Sequence, residues 1–239
     1  MLQGFTIRKS AAECSISTTT AFFWRHKVFD ALQKMADTVK LDGIEETDET
    51  FFAVSYKGNH KKSSFVIPRA IHHRGHMTKL RGLSKEKVCV PCAVNRTGLS
   101  IARISNLARI KTAGLESVLS DRIESGSHII TDKASAYQKY ASAHGLELIL
   151  LKAGKSSVKT IYNLAHINNY HSELKRFMCN FKGVSSKYLN NYLVWHNFVN
   201  YSKESYTDKK KILLAFVLST PLTVLNKNIS VRLAIPLFA

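Results

Sequence analysis

The order of hydrophobic patterns along residues 43–199 is the feature that most restricts the fold. Five segments have the spacing and turn signals of strands: Glu46–Val54, Val88–Val94, Leu99–Leu107, His128–Asp132 and Leu146–Leu151. Helical patterns separate the last three strands, and a further helix is predicted from about Ala165 to Cys179. Three antiparallel strands followed by alternating helices and strands predict an α/β fold, with an RNase H-like mixed five-stranded sheet flanked by helices.

The N-terminal residues have a different, helical pattern. Residues 5–35 contain apolar positions at helical spacing, with a short break in which Ser17 can cap a second helix. Helix, turn and helix at residues 1–38 predict a small helix-turn-helix-like DNA-binding segment. Its second helix would offer Thr18, Thr19 and Arg25 to a DNA groove. A plain helical hairpin explains the same spacing equally well.

The charge of the chain points to a polyanionic partner. Its 239 residues contain 35 Lys and Arg but 17 Asp and Glu, which gives a net charge of +18 and a pI near 9.8. Such a surface attracts nucleic acid and contacts its phosphates, although a ribosome-associated protein or a merely basic enzyme would also be basic. The segment 56–87 is predicted to be an exposed loop, and its candidate DNA contacts are Lys61, Lys62, Arg69, Arg74 and Arg81.

Cysteine usage and hydropathy favour a cytoplasmic protein. The four cysteines form no disulfide framework, and Cys89 and Cys92 have no second pair at the spacing of a zinc ribbon. The longest apolar run near the end, 212–225, is too short to span a membrane and contains Pro221. We therefore expect no membrane association and a reducing cytoplasm.

Two aspartates lie where a sheet of this order would bring them together. Asp48 belongs to the first predicted strand and Asp132 ends the fourth, and these strands are neighbours in the predicted sheet. Phosphodiester cleavage and strand transfer use two divalent ions about 4 Å apart, which carboxylates hold. Glu46, on the same strand face as Asp48, is a possible substitute ligand, whereas Glu49 should face the other way.

A third ligand would come from the helix that begins near Ala165. Asn168 and Lys175 are seven residues apart and therefore share a helix face, whereas Glu173, the only acid in this helix, lies off it. The spacing favours Asn168 as the metal ligand, although an amide oxygen brings no charge and should bind the metal more weakly than Glu. Lys175 would then reach a phosphate, unless it is an ordinary solvated lysine.

Several ordered motifs resemble a group of bacterial insertion-sequence transposases of the DDE superfamily, the ISXO-like branch with Asn as the third catalytic residue. The similar segments are Gly43–Phe52, Arg81–Val88, Thr131–Tyr137, His166–Lys175 and Phe181–Leu193. The resemblance spans roughly residues 4–200. It implies catalytic roles for Asp48, Asp132, Asn168 and Lys175, with the first three also holding the metal.

The resemblance also implies a domain organisation and a set of partners. Residues 43–204 would form the catalytic domain, and residues 205–239 are an unassigned C-terminal tail. We expect two Mg²⁺ (or Mn²⁺) ions in each active site. The expected partner is double-stranded DNA, both at the element ends and as target, bound by a homo-oligomer. The expected location is the bacterial cytoplasm, in association with the nucleoid. No zinc ribbon precedes the helical segment, so a truncated copy is expected. The alternative functions are a decayed remnant that only binds DNA and an RNase H-like nuclease.

Overall fold

The computed structural model describes residues 2–59, 66–68, 82–132, 135–151, 161–200, 205–219 and 223–237. The strands are β1 (Ile44–Ala53), β2 (Lys87–Asn95), β3 (Ser100–Ala102), β4 (His128–Thr131) and β5 (Glu147–Leu150). The helices are α1 (Ile7–Glu13), α2 (Thr18–Asp37), α3 (Thr112–Leu119), α4 (Ser135–His144), α5 (Ala165–Cys179), α6 (Leu189–Asn200), α7 (Tyr206–Ser219) and α8 (Asn226–Ser230). A short 3₁₀ helix, Ser186–Tyr188, leads into α6.

The strands form one mixed sheet in the order β3-β2-β1-β4-β5. The pairs β1–β2 and β2–β3 are antiparallel, whereas β1–β4 and β4–β5 are parallel. This is the RNase H-like α/β arrangement, and the fold prediction is confirmed. Because β1 is central and ten residues long, it runs past the short strand β4 and carries side chains to both layers of helices.

The third strand is shorter than its hydrophobic pattern suggested. Pairing with β2 stops at Ala102. Two residues later, the backbone N–H of Ile104 donates to the side chain of Asn190 on α6, at 2.8 Å. The chain then returns to β2, where the N–H of Cys89 donates to the carbonyl of Asn106. Contact with a helix therefore interrupts a segment whose composition is that of a continuous strand.

Each face of the sheet has its own hydrophobic core. On β2, Val90 and Cys92 pack with α5 and α6, whereas Cys89 and Ala93 pack with α3 and α4. Cys89 and Cys92 therefore point to opposite faces of the sheet, as residues three apart on a strand must. Burial raises the pKa of the Cys89 thiol to about 12 and that of Cys92 well above its ordinary value. One metal ion cannot be held by both.

The two N-terminal helices form as the sequence predicts. The Ser17 hydroxyl accepts a hydrogen bond from the backbone N–H of Thr20 at 3.0 Å, so this residue caps α2 as expected. Phe29 of α2 packs with Trp195 and Tyr192 of α6, so the helix lies against the body of the protein.

Arg25 does not face outward as a DNA contact would, and that expectation is wrong. Its side chain is buried and donates to the carbonyl oxygen of Phe5 at 2.6 Å and to the hydroxyl of Ser10 at 2.9 Å. The guanidinium therefore joins α2 to α1 and the residues before it. Thr18 and Thr19 are exposed at the start of α2, and their contact with DNA stays a prediction.

The C-terminal tail, which the sequence pattern left unassigned, folds back on α2 and α6. Arg232 donates to the carboxylate of Asp30 on α2 at 2.6 Å and to the side chain of Asn191 on α6 at 3.0 Å. The Tyr188 hydroxyl donates to the carbonyl of Ile229 in α8. Within the described part of the chain, no helix is both long and apolar enough to cross a lipid bilayer.

Candidate active site

The acids of β1 divide between the two faces of the sheet. Asp48 pairs in register with Cys92, whose side chain lies in the core under α5 and α6. Glu46 is two residues away and shares that face, whereas Glu45 and Glu49 point towards α3 and α4. Glu49 thus faces away from Asp48, as its strand position predicts.

Asp48 and Asp132 have corresponding positions relative to the parallel pairing of β1 and β4. Glu46 pairs with Ile130 on β4, so two further steps along both strands reach Asp48 and Asp132. Strand pairing reaches the residue before Asp132, because the carbonyl of Thr131 accepts a hydrogen bond from the backbone N–H of Leu151, just after β5, at 2.9 Å. Asp132 is exposed just beyond the end of β4, and the Asp48 side chain is 22% exposed.

Helix α5 crosses the sheet beside Asp48. The Nδ1 atom of His171 lies 3.9 Å from the Oδ2 atom of Asp48. Asn168 precedes His171 by three residues and Lys175 follows it by four, so all three lie on neighbouring turns of one helix face. Asn168 and Lys175 are both exposed. The structure thus brings the face that carries Asn168 and Lys175 next to Asp48.

The only acid in α5 is engaged away from this face. Both carboxylate oxygens of Glu173 accept hydrogen bonds from Arg176, at 2.5 and 2.6 Å, within the same helix. This agrees with the helical spacing that favoured Asn168 over Glu173.

Glu46 holds the start of α5 and is not available as a substitute metal ligand, so that expectation is wrong. Its buried carboxylate accepts a hydrogen bond from the backbone N–H of Ile167 at 3.0 Å and contacts Nδ1 of His166 at 2.9 Å. Arg96, in the β2–β3 turn, lies 2.8 Å from the same carboxylate. Leu164, the residue before α5, provides no side-chain cap, so a carboxylate from β1 satisfies the helix N-terminus instead.

His171 is uncharged at neutral pH. Burial, together with the positive charge of Lys175, lowers the pKa of its imidazole to about 4. Its contact with Asp48 is therefore not an ion pair at pH 7.

The residues present suit a divalent metal only if an amide completes the site. Among the residues that the structure describes, no group of three or more His, Cys, Asp or Glu could hold a metal ion. Asp48, Asp132 and Asn168 offer oxygen atoms, the donors that Mg²⁺ prefers, and water commonly completes its coordination. A metal held here would thus be bound by two carboxylates, the Asn168 amide oxygen and water.

Sequence reasoning missed Arg96 and the anchoring role of Glu46. Arg96 appeared only as part of a turn signal, and nothing local indicates a partner fifty residues earlier. The predicted DNA contacts Lys61, Lys62, Arg69, Arg74 and Arg81 lie outside the described residues.

Glu45, on the opposite face of β1, gives the protein a pH-dependent stability. Burial, with smaller contributions from the nearby acids Asp42 and Glu124, raises the pKa of its carboxyl to about 8, although a hydrogen bond with the Ser127 hydroxyl opposes the rise. Between pH 4.5 and 8 the folded chain therefore keeps a proton that the unfolded chain has lost. The free energy of unfolding must then fall as pH rises through this window, by up to about 1.4 kcal/mol per pH unit.

Glu45→Gln should remove this dependence. Urea unfolding at several pH values between 5 and 8 should give a flatter profile for the variant than for the parent chain. Glu13→Gln, which changes an exposed acid on α1 that has no part in the Glu45 shift, is the matched control and should keep the parent's slope. Parallel profiles for Glu45→Gln and the parent would contradict the assignment.

The sheet thus carries one acid on β1 and another just beyond β4, and α5 packs over β1 and β2 beside the first of them. The chain belongs to the family of ISXO2-like transposase domains, whose model matches residues 40–200. It is therefore an insertion-sequence transposase of the DDE superfamily.

Solved structures of a transposase are also similar at low identity. One is described as a pre-cleavage Mos1 transpososome, with 10% identity, a TM-score of 0.30, and coverage of 95% of this chain and 69% of that chain. The other is the Mos1 transposase paired-end complex with the left transposon end, with 11% identity, a TM-score of 0.29 and the same coverage. No curated protein matches the sequence.

Proposed function

We propose that this transposase catalyses metal-dependent DNA cleavage and strand transfer at the terminal inverted repeats of an insertion sequence. The observation that carries the proposal is the β1–β4 register: Asp48 and Asp132 each follow by two residues the paired positions Glu46 and Ile130, and His171 of α5 contacts Asp48. Family membership supports DNA as the substrate.

Asp48, Asp132 and Asn168 would hold two Mg²⁺ or Mn²⁺ ions. Bound there, the ions would activate the attacking oxygen and stabilise the leaving oxygen of the phosphodiester. Lys175, two helical turns beyond Asn168, would contact a DNA phosphate and orient it. Glu46 would act indirectly. By holding the start of α5, it would fix the position of Asn168 relative to Asp48.

The expected partners follow from this chemistry. Double-stranded DNA would be bound both as element ends and as target, by a homo-oligomer that brings two ends together. A net charge of +18 supports long-range attraction to DNA. A bacterial cytoplasm, in association with the nucleoid, is the expected location.

A strand-transfer assay tests the proposal. DNA that carries the element's inverted repeats should be cut and joined to target DNA when Mg²⁺ is present, and left intact in EDTA. Binding without any cutting would favour a remnant that only binds DNA. Cleavage of unrelated branched or hybrid substrates, with no joining, would favour a nuclease.

Asn168→Glu should keep or raise the affinity for Mg²⁺. An added carboxylate near a divalent ion is worth more than about 1 kcal/mol at the dielectric of a protein surface, so the Kd should fall by roughly tenfold. Isothermal titration calorimetry with Mn²⁺ measures the change. Asn169→Glu puts the same charge on the adjacent exposed position and should raise the affinity for the metal ion less. A large loss of metal binding in Asn168→Glu would contradict the assignment of this helix face.

A further inference from the structure

Two cavities adjoin at the C-terminal end of α5. One, of about 740 Å³, lies between helices α1 and α2 and the segment after α5. The other, of about 860 Å³, lies between the end of β1 and the last turns of α5. They share Lys57, Gly183 and Val184 as lining residues, so they form one continuous depression, which we call the α5 groove.

The α5 groove is positively charged. The cations that line it are Arg8, Lys57, Lys175 and Lys182, and no Asp or Glu is among its described lining residues. Arg8, Lys175 and Lys182 are exposed. This charge suits a row of phosphates.

One half of the groove is aromatic. Its aromatic lining residues are Phe22, Phe181, Tyr188 and Tyr192. The rings of Phe22 and Phe181 are partly exposed and pack edge-on against the tyrosines, with centroids 5.3 Å (Phe22–Tyr188) and 4.7 Å (Phe181–Tyr192) apart. Aromatic rings beside cations suit an unpaired strand, because its bases stack on rings while its phosphates meet the cations.

The groove has a fixed floor that leads to the candidate active site. Lys57 donates to the carbonyl of Gly183 at 3.1 Å, and the backbone N–H of Ser186 donates to the carbonyl of Ser55 at 2.9 Å. These bonds tie the end of β1 to the segment after α5. At the other end, Lys175 lies one helical turn from His171, which contacts Asp48.

We propose that the α5 groove binds a single strand of DNA as it leaves the active site, with phosphates at Arg8 and Lys182 and bases against Phe22 and Phe181. The inference rests on the proposed function for the identity of the substrate. Its test needs no catalysis, so the two can fail separately.

Binding of a fluorescein-labelled 20-nucleotide oligothymidine, in EDTA and at several salt concentrations, tests the charged side of the groove. Each lost phosphate contact with a single strand lowers the slope of log K against log salt by about 0.7. Arg8→Gln/Lys182→Gln should therefore lower the slope by about 1.4 and weaken binding roughly 10- to 30-fold at 0.1 M salt. Lys111→Gln/Lys139→Gln removes the same charge from two exposed sites, one just before α3 and one on α4, and should keep the parent's slope.

Equal losses of affinity and of salt slope in the two double variants would overturn the proposal, since net charge alone would then explain the binding. A duplex of the same length is the second probe. The single-strand assignment would be overturned if the duplex bound more tightly and if Arg8→Gln/Lys182→Gln lowered its salt slope by the same amount. A parent chain with no strand-transfer activity would refute the proposed function and leave this comparison intact.

The aromatic side of the groove has its own measurement. An oligonucleotide that contains 2-aminopurine should lose fluorescence on binding, because the base stacks on an aromatic ring. Phe22→Leu should restore most of that fluorescence, and Phe181→Leu serves as the second variant if thermal melting shows Phe22→Leu to be unfolded. Quenching that is unchanged in the folded variants would contradict stacking in the groove.

Discussion

Asp48→Asn should abolish strand transfer and leave DNA binding unchanged. The change replaces the carboxylate that Asp48 would offer to a metal ion with a neutral amide, while it keeps the size of the side chain. Loss of several kcal/mol of metal-based stabilisation corresponds to roughly a 10³-fold or greater fall in rate, since each 1.36 kcal/mol is tenfold. Strand-transfer product on inverted-repeat DNA is the measurement, and Asp132→Asn should behave in the same way.

Asp42→Asn is the matched control. Asp42 is exposed two residues before β1 and accepts a hydrogen bond from Asn95, which an amide oxygen can also accept. Its substitution should leave the rate within about twofold, as expected for a surface change. Strand transfer that survives in Asp48→Asn at the level of Asp42→Asn would remove Asp48 from the active site.

Glu46→Ala should destabilise the protein by about 2–4 kcal/mol. The change removes the carboxylate that caps α5 at Ile167 and leaves the guanidinium of Arg96 without its acidic partner. Arg96 is partly exposed, so water offsets some of the loss. Urea unfolding of the parent chain and the variant measures the difference.

The control for this prediction is Glu13→Ala, which removes an exposed acid from α1 and should change stability by less than about 0.5 kcal/mol. Glu46→Gln should fall between the two, because its amide oxygen still accepts from Ile167 but carries no charge for Arg96. A loss in Glu46→Ala as small as that of the control would show that Glu46 does not anchor α5.

The order of the elements and the positions of the acids can be predicted from the sequence, because both depend on local patterns. The switch from helical spacing to strand spacing near residue 43 is visible in the sequence, and α5 has the predicted bounds. Helical spacing alone placed Asn168 and Lys175 on one face, and the contact of His171 with Asp48 brings that face to the sheet.

Contacts between distant segments could not be read in the same way. Arg25 has the charge of a DNA contact, but whether it faces solvent depends on how α1 packs against α2. Glu46 looked like a spare ligand because its partners, Arg96 and the start of α5, are 50 and 120 residues away. The tail is tied down by an ion pair between Arg232 and Asp30, some 200 residues apart.

Crystals of the protein grown with Mn²⁺ and an oligonucleotide end would test the central claim most directly, through an anomalous difference map. We expect two peaks about 4 Å apart, between the carboxylates of Asp48 and Asp132 and within ligand distance of the Asn168 amide oxygen. A map in which manganese binds elsewhere, with no peak between Asp48 and Asp132, would contradict it.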